Sequence, residues 1–115
     1  MAVVVASGTT LSLTTGLKSA DQVTGQYQYV GKGRIQLAAR QAAAAATGIR
    51  ITLKVNGVSL IDDMMTPWAG TTGGLSINDH MILDQNIAGG RVELFFRNDN
   101  AGTQTTDYLL LFTPM

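Results

Sequence analysis

The feature that most constrains this chain is an Asn-Gly pair, Asn56-Gly57, between two runs in which apolar and polar residues alternate. Both residues of such a pair take up positive φ angles at little steric cost, and the resulting type I′ turn matches the twist of paired strands. The sequence therefore predicts an antiparallel hairpin of Ile51–Val55 with Val58–Ile61. In the expected register, four apolar side chains share one face as the pairs Val55–Val58 and Leu53–Leu60.

Seven further segments are apolar or alternate with the period of two that is typical of strands. They are Ala2–Ala6 and Thr9–Thr14, separated by Gly8, and then Gln26–Val30, Arg34–Ala39, Met81–Leu83, Arg91–Arg97 and Asp107–Thr113. In Arg91–Arg97 we expect Val92, Leu94 and Phe96 to point inward. Turn signals about every 8–12 residues are typical of a sandwich or a small barrel. We therefore predict seven to nine strands in one mainly all-β domain spanning 1–115, an antiparallel β-sandwich or jelly-roll-like fold.

An alanine-rich segment follows the fourth of these strands. Alanine is the best helix former, and Gly48 would end a helix well, so the sequence predicts one short helix over 38–47. A continued strand is the alternative, because the odd positions from Ile35 to Val55 would then stay on one face without a slip. Short helices are marginal in isolation, so packing decides between the two.

The chain is sparsely charged. Charged residues make up 14% of it and the formal net charge is zero, against about 25% charged residues in a typical domain. The cores of protein interfaces are depleted of charge in this way, so we expect part of the surface to meet another subunit. A small neutral monomeric β-domain is the alternative.

The basic residues concentrate in the middle of the chain, and the acidic ones follow them. On the strand interpretation, six side chains form two sets, and if the two strands adjoin they make one polar sheet face: Arg34, Gln36 and Arg40, and Arg50, Thr52 and Lys54. With Tyr27 and Tyr29 as stacking surfaces, this face would suit single-stranded nucleic acid. The solvated outer face of an amphipathic sheet is the alternative.

Few residues of the sequence are candidates for catalysis or for binding a metal or a sugar. His80 is the sole histidine, and an acid/base or oxygen-rich metal site would have to draw on nearby acids: Asp62, Asp63, Asp79 and Asp84. The spacing matches no known metal or nucleophile motif, and there is no cysteine. We predict no enzyme activity, no cofactor and no metal. A carbohydrate site would use Trp68 with Asn98, Asp99 and Asn100.

The sequence shows no membrane-spanning run and no pattern of a signal peptide.

Four segments together resemble a known class of proteins: GRIQLAAR, GIRITLKVNGVSL, AGGRVELFFRN and TTDYLLLFTPM. The chain resembles small jelly-roll-like virion proteins of viruses and phages, such as capsid, decoration or spike subunits. The resemblance covers most of the chain and implies a homo-oligomer of many copies in a virion, with nucleic acid as a candidate partner inside the particle. Many small capsid proteins hold the genome with a basic arm. This sequence shows none, so we expect any genome contact to come from the sheet face. A binding module for single-stranded nucleic acid or carbohydrate is the alternative function.

Overall fold

A computed structural model describes residues 2–13, 19–41, 49–66, 75, 80–99 and 104–115. Strands account for most of these residues, and the one helical element is a single 3-10 turn, Gln26–Gln28. The strands are β1 (Val3–Leu13), β2 (Tyr29–Val30), β3 (Gly33–Gln41), β4 (Ile49–Val55), β5 (Val58–Met65), β6 (Met81–Ile87), β7 (Gly90–Asn98) and β8 (Gln104–Pro114). The predicted all-β class is confirmed. Among the described residues no helix is long and apolar enough to cross a membrane.

The strands form two antiparallel sheets of four. The first sheet has the order β1-β8-β3-β6 and the second has the order β2-β7-β4-β5. Strands from the first half of the chain pair with strands from the second half, as β1·β8, β2·β7, β3·β6 and β4·β5. A long antiparallel hairpin rolled in this way has the connectivity of a jelly roll.

The core lies between the two sheets and is lined by alternate residues of each strand. On β4 every second side chain is buried, beginning with Ile49, and on β7 Val92, Leu94 and Phe96 point inward as predicted. Ile35, Leu37 and Leu110 of the first sheet are also fully buried. Each such side chain contributes about 1.5–3 kcal/mol when it leaves water, so the alternation fixes which face of each strand is inside.

The predicted hairpin forms, with one change of register. Asn56 and Gly57 have φ angles of 54° and 79°, as a type I′ turn requires, and Val55 pairs with Val58. Leu53 pairs with Ile61 rather than Leu60, because β5 contains an extra residue at this point. The expected Leu53–Leu60 pair is therefore wrong, and a β-bulge explains the slip.

Gly8 does not divide two strands as the sequence predicted. β1 runs through it from Val3 to Leu13. A Cβ atom at position 8 would lie 2.5 Å from the ring of Tyr108 on β8. The glycine therefore makes room for an aromatic side chain rather than ending a strand.

The predicted helix over 38–47 is wrong for its first four residues. β3 continues to Gln41, and Ala38–Gln41 pairs with Leu109–Thr106 of β8. Ala39 is buried in the core, which a strand partner on each side of β3 makes possible. Tertiary pairing overrides the helix propensity of alanine here. Residues 42–47 lie outside the described residues.

Two other predicted elements are altered. The strand over Gln26–Val30 is a 3-10 turn followed by only two strand residues, Tyr29–Val30. The strand expected over Met81–Leu83 is longer, because β6 extends to Ile87.

Candidate functional site

The polar face predicted from the basic residues is divided between two sheets. β3 pairs with β8 and β6, whereas β4 pairs with β5 and β7. Odd-numbered residues of both strands face the core, so the even-numbered ones point outward on opposite sides of the sandwich. Arg34, Gln36 and Arg40 therefore lie on the outer face of the first sheet, and Arg50, Thr52 and Lys54 lie on the outer face of the second. The single polar face, which depended on β3 and β4 lying side by side, therefore does not form, because the two strands belong to different sheets.

Both arginines of the first set are held by carboxylates of neighbouring strands. Arg34 donates hydrogen bonds to Asp84 of β6, with Nε 2.6 Å from Oδ1. The hydrogen bond from Arg34 lowers the pKa of Asp84, and the same bond raises the pKa of Arg34. Arg40 is buried, and its Nε lies 3.1 Å from Oδ2 of Asp107 on β8. Arg40 is thus covered although it points to the outer face of the sheet, and a ligand approaching that face does not reach it.

The second set surrounds a shallow depression on the outer face of the second sheet. Its volume is about 380 Å³. The lining residues are Arg50, Thr52 and Lys54 of β4, Asp62 and Asp63 of β5, and Phe95, Phe96 and Arg97 of β7. Phe95 pairs directly with Thr52, and Arg97 pairs with Arg50, so the half-buried Phe95 ring stands among cations. Sequence reasoning missed Phe95, although its position two residues before Arg97 on an alternating strand signals an outward ring.

Acidic groups balance the cations of this depression. Nη2 of Arg97 lies 3.0 Å from a carboxylate oxygen of Asp63 and 3.0 Å from one of Asp99. The hydrogen bond to Asp99 is the main cause of a raised pKa of Arg97. Nε of Arg50 lies 3.7 Å from Oδ2 of Asp99. The face therefore carries alternating charges of both signs rather than a uniform positive field.

A bulge in β5 places one of these carboxylates. Asp63 has a φ of 52°, and the register of β4 with β5 shifts between Ile51 and Leu53. The N–H of Asp63 donates to Oγ1 of Thr52 at 3.1 Å, and Nη1 of Arg50 donates to the carbonyl of Asp63 at 3.1 Å. Thr52 and Arg50 thus hold the bulge, and the bulge turns Asp63 towards Arg97.

The two predicted tyrosines lie at the β2 side of the sandwich. Tyr29 is 68% exposed and pairs with Arg91 of β7, which puts it on the same outer face as Lys54 but two strands away. Tyr27 is half-buried and packs against the core. Both line a groove of about 530 Å³ whose other walls are mainly apolar and include Val3 and Phe112.

Next to β2, an irregular segment bonds to β7 on the side that does not face β4. The N–H of Ser19 donates to the carbonyl of Phe96 at 2.7 Å, and the N–H of Gln22 donates to that of Leu94 at 2.9 Å. Oγ of Ser19 and Oδ1 of Asp21 accept from the N–H groups of Phe96 and Leu94 at 2.9 and 3.0 Å. The side of β7 away from β4 therefore has its backbone hydrogen bonds satisfied at Leu94 and Phe96.

The first sheet has no such closure beside β1 in the part of the chain that the structure describes. There β1 pairs with β8 and with no other strand. Its sequence, VVVASGTTLSL, contains no charged residue and no proline. Val4 is 52% exposed and Ser7 is exposed, and they pair with the half-buried Leu111 and Leu109 of β8 on the outer face. We call Val3–Gly8 the β1 edge, and we call the row of Val4, Leu109 and Leu111 the apolar strip.

The residues considered for a metal or acid/base site do not lie close together. His80 is half-buried, and its carbonyl accepts a hydrogen bond from the N–H of Ala39 at 3.2 Å. Asp84 is bound to Arg34 on the first sheet, whereas Asp62 and Asp63 belong to the second. Asp79 lies outside the described residues. Among those described, no three His, Cys, Asp or Glu side chains come together in a group suited to a metal ion.

The described residues that were predicted to bind sugar do not form a common exposed surface either. Asn98 is fully buried at the end of β7, and Asp99 is engaged by Arg97. Trp68 and Asn100 lie outside the described residues.

Comparisons with known proteins give no relative: no protein-family model matches this chain, and neither a curated protein nor a solved structure matches it.

Proposed function

We propose that this protein is a structural subunit that self-associates into a homo-oligomeric shell or fibre, as a capsid or other virion component. The observation that carries the proposal is the β1 edge. An open strand edge presents unpaired N–H and C=O groups to any other strand, and monomeric proteins usually protect such an edge with charges, proline or a short strand. β1 is 11 residues long and has neither charge nor proline.

The apolar strip adds to this support. Val4 and the two leucines beside it lie on an outer face, where a monomer gains nothing from apolar side chains. Burying them against another subunit would remove apolar area from water at about 25 cal/mol per Å². A standard interface takes about 800 Å² from each partner, which is roughly a seventh of the 5899 Å² surface of this chain. Jelly rolls also occur in lectins and cupins, so the edge and strip, rather than the fold, favour a structural subunit.

Light scattering after size exclusion tests the proposal. We expect the purified protein at about 100 μM to have a mass that is a multiple of 12.1 kDa, because the exposed edge and strip are then covered. A solitary 12.1 kDa species at this concentration would refute it.

A pair of matched variants shows whether the β1 edge is responsible. Val4→Lys places a charge on the edge, and we expect it to weaken association about tenfold or more, which corresponds to about 1.4 kcal/mol. Val58→Lys makes the same change at a residue that is 62% exposed on β5 and should leave the mass unchanged. Equal effects of the two variants would exclude a specific contact at β1.

A second candidate function is binding of single-stranded nucleic acid or carbohydrate in the depression of the second sheet. The observation that favours it is Phe95, a ring on an outer sheet face with Arg50, Lys54 and Arg97 nearby. An aromatic ring among cations provides stacking for a base or a sugar and charge for a phosphate. The carboxylates of Asp63 and Asp99 oppose this charge, so affinity for phosphate should be modest.

Fluorescence anisotropy with labelled oligothymidylate, and in parallel a labelled oligosaccharide, separates the two ligands. Binding of the oligonucleotide should weaken steeply between about 50 and 200 mM salt, whereas sugar binding should not. Lys54→Ala should weaken either ligand, and Lys32→Ala, an exposed lysine outside the depression, should not. Absence of binding at low salt, or equal losses in both variants, would refute a site in this depression.

A further inference from the structure

The proposed function does not say which surfaces form the contact between two copies. The strand edges of the sandwich limit the surfaces that can do so. We infer that two copies join through their β1 edges, antiparallel and about a twofold axis at Ser7. The first sheets of the two copies then form one continuous eight-stranded sheet. This inference rests on the proposed self-association and names the partner surface as a second copy of the same edge.

β1 can form backbone hydrogen bonds on the side away from β8. An antiparallel strand directs its backbone groups alternately to its two sides, and β8 occupies only one side of β1 in the described part of the chain. The other side can accept a strand from another chain, as in recognition by strand addition. The second sheet does not offer this at β7, because Ser19, Asp21 and Gln22 already fill that edge.

Among the remaining edge strands, β1 is favoured for pairing with a second copy because it carries no charge. In a twofold contact the same edge meets itself, with residue i of one copy near residue j of the other and j near i, so like charges on one edge are brought close together. β6 carries Asp84, and β5 carries Asp62 and Asp63. β1 carries no charge at all, and it can approach an identical strand without this penalty.

The two bulges of β1 limit where the twofold axis between two copies can lie. Its register against β8 shifts between Val4 and Ala6 and again between Gly8 and Leu11. Bulges twist a strand, so a long flat pairing along all of β1 is disfavoured. The run Ala6–Gly8 between them pairs regularly with β8, and its residues are small. Ser7 is its centre and is exposed, so the closest approach of two copies falls there.

This geometry also joins the apolar strips. Ser7 and Val4 point to the outer face of the first sheet, where they pair with Leu109 and Leu111. When two β1 edges pair, the outer faces of both first sheets become continuous. The two strips then form one wider apolar surface across the axis, available for contact with further copies.

A single introduced cysteine tests the inference. The chain has no cysteine of its own, so Ser7→Cys creates a protein with one thiol. Opposed residues of an antiparallel pair have Cα atoms about 4.5–5.5 Å apart, within the range of about 4.4–6.8 Å that a disulfide needs. Ser59→Cys is the matched control, since Ser59 is an exposed serine on another edge strand, β5.

Mild oxidation followed by non-reducing electrophoresis gives the readout. We expect the Ser7→Cys protein to form a covalent dimer at least about tenfold faster than the Ser59→Cys protein, with the reduced form keeping the mass of the unmodified protein in light scattering. If the unmodified protein assembles but the two thiols cross-link equally slowly, the β1 pairing at Ser7 is wrong and self-association stands. Equally fast cross-linking also overturns it, because collisions alone would explain the dimers. If the unmodified protein is a monomer, the proposed function itself fails.

Discussion

Replacing Asp107 by alanine should destabilise the fold more than any change to an exposed ion pair. Asp107 on β8 faces Arg40 on β3, and both Nε and Nη2 of Arg40 lie 3.1 Å from Oδ2. The two side chains are only 9% and 8% exposed. Without the carboxylate, a buried guanidinium loses its partner on the facing strand, and breaking a buried ion pair in this way costs about 3–5 kcal/mol.

Urea unfolding followed by circular dichroism measures this loss. The free energy of unfolding of a domain of this size falls by about 1–3 kcal/mol per molar urea, so the midpoint should drop by about 2 M. That is a large share of a total stability of about 5–15 kcal/mol. Since the proposed assembly would stabilise the folded state, the variants have to be compared at one protein concentration low enough to dissociate any oligomers.

Asp84→Ala is the matched control, because it breaks an arginine–aspartate pair on the same sheet. The side chains of Arg34 and Asp84 are 50% and 33% exposed, so water replaces the lost partner and the midpoint should stay close to that of the unmodified protein. The double variant Arg40→Met with Asp107→Leu should recover most of the stability, because it removes both charges of the buried pair. The reasoning is refuted if Asp107→Ala shifts the midpoint no more than Asp84→Ala does.

Three further outcomes are expected of the same unfolding assay. Phe96→Ala should cost about 3–5 kcal/mol, because it empties a fully buried position of the core; a loss below about 1 kcal/mol would contradict the packing. Gly8→Ala should cost about 1–3 kcal/mol, because the new methyl group meets the ring of Tyr108, and no loss would show that the ring lies elsewhere. Because Arg34 lowers the pKa of Asp84 in the folded state, the stabilisation from this carboxylate is present above its ordinary pKa of 3.8 and is lost as the pH falls further. The small difference in midpoint between Asp84→Asn and the unmodified protein should therefore be largest near neutral pH and should vanish in acid; a difference that does not change with pH would contradict the pair.

The alternating strands were the part of the fold that the sequence could predict. β4 and β7 each have one face in the core and one in water. Inward apolar residues therefore recur at every second position of their sequences, IRITLKV and GRVELFFRN. The type I′ turn at Asn56-Gly57 was predictable for a similar reason, because its positive φ angles depend on these two residues alone.

Local signals failed where a distant strand decides the conformation. Gly8 has the appearance of a strand break, and Ala38–Gln41 has the composition of a helix, but both lie against β8, about a hundred and about seventy residues away along the chain. Propensity differences of less than about 1 kcal/mol per residue do not prevail against a strand partner on either side.

The division of the basic face had no local signal at all. Arg40 and Arg50 are ten residues apart in the sequence and keep the same alternation. Whether their strands adjoin depends on the connection between β3 and β4, which crosses from one sheet to the other. The ion pairs Arg34–Asp84, Arg40–Asp107 and Arg97–Asp63 are equally non-local, so a count of basic residues overstated the positive charge available to a ligand.

The two outer faces differ in what a contact with another molecule would cost. The face of the second sheet holds exposed ion pairs around Arg97, and covering them would remove water from charges that gain little from each other. The apolar strip of the first sheet carries no such penalty, so contact between copies is favoured on that side. The proposed self-association and the proposed ligand binding therefore involve different surfaces and should be separable. Val4→Lys is expected to reduce the mass in light scattering and leave anisotropy with the oligonucleotide or oligosaccharide unchanged, and Lys54→Ala is expected to do the reverse. A variant on one face that changes both measurements would show that the two functions share a surface.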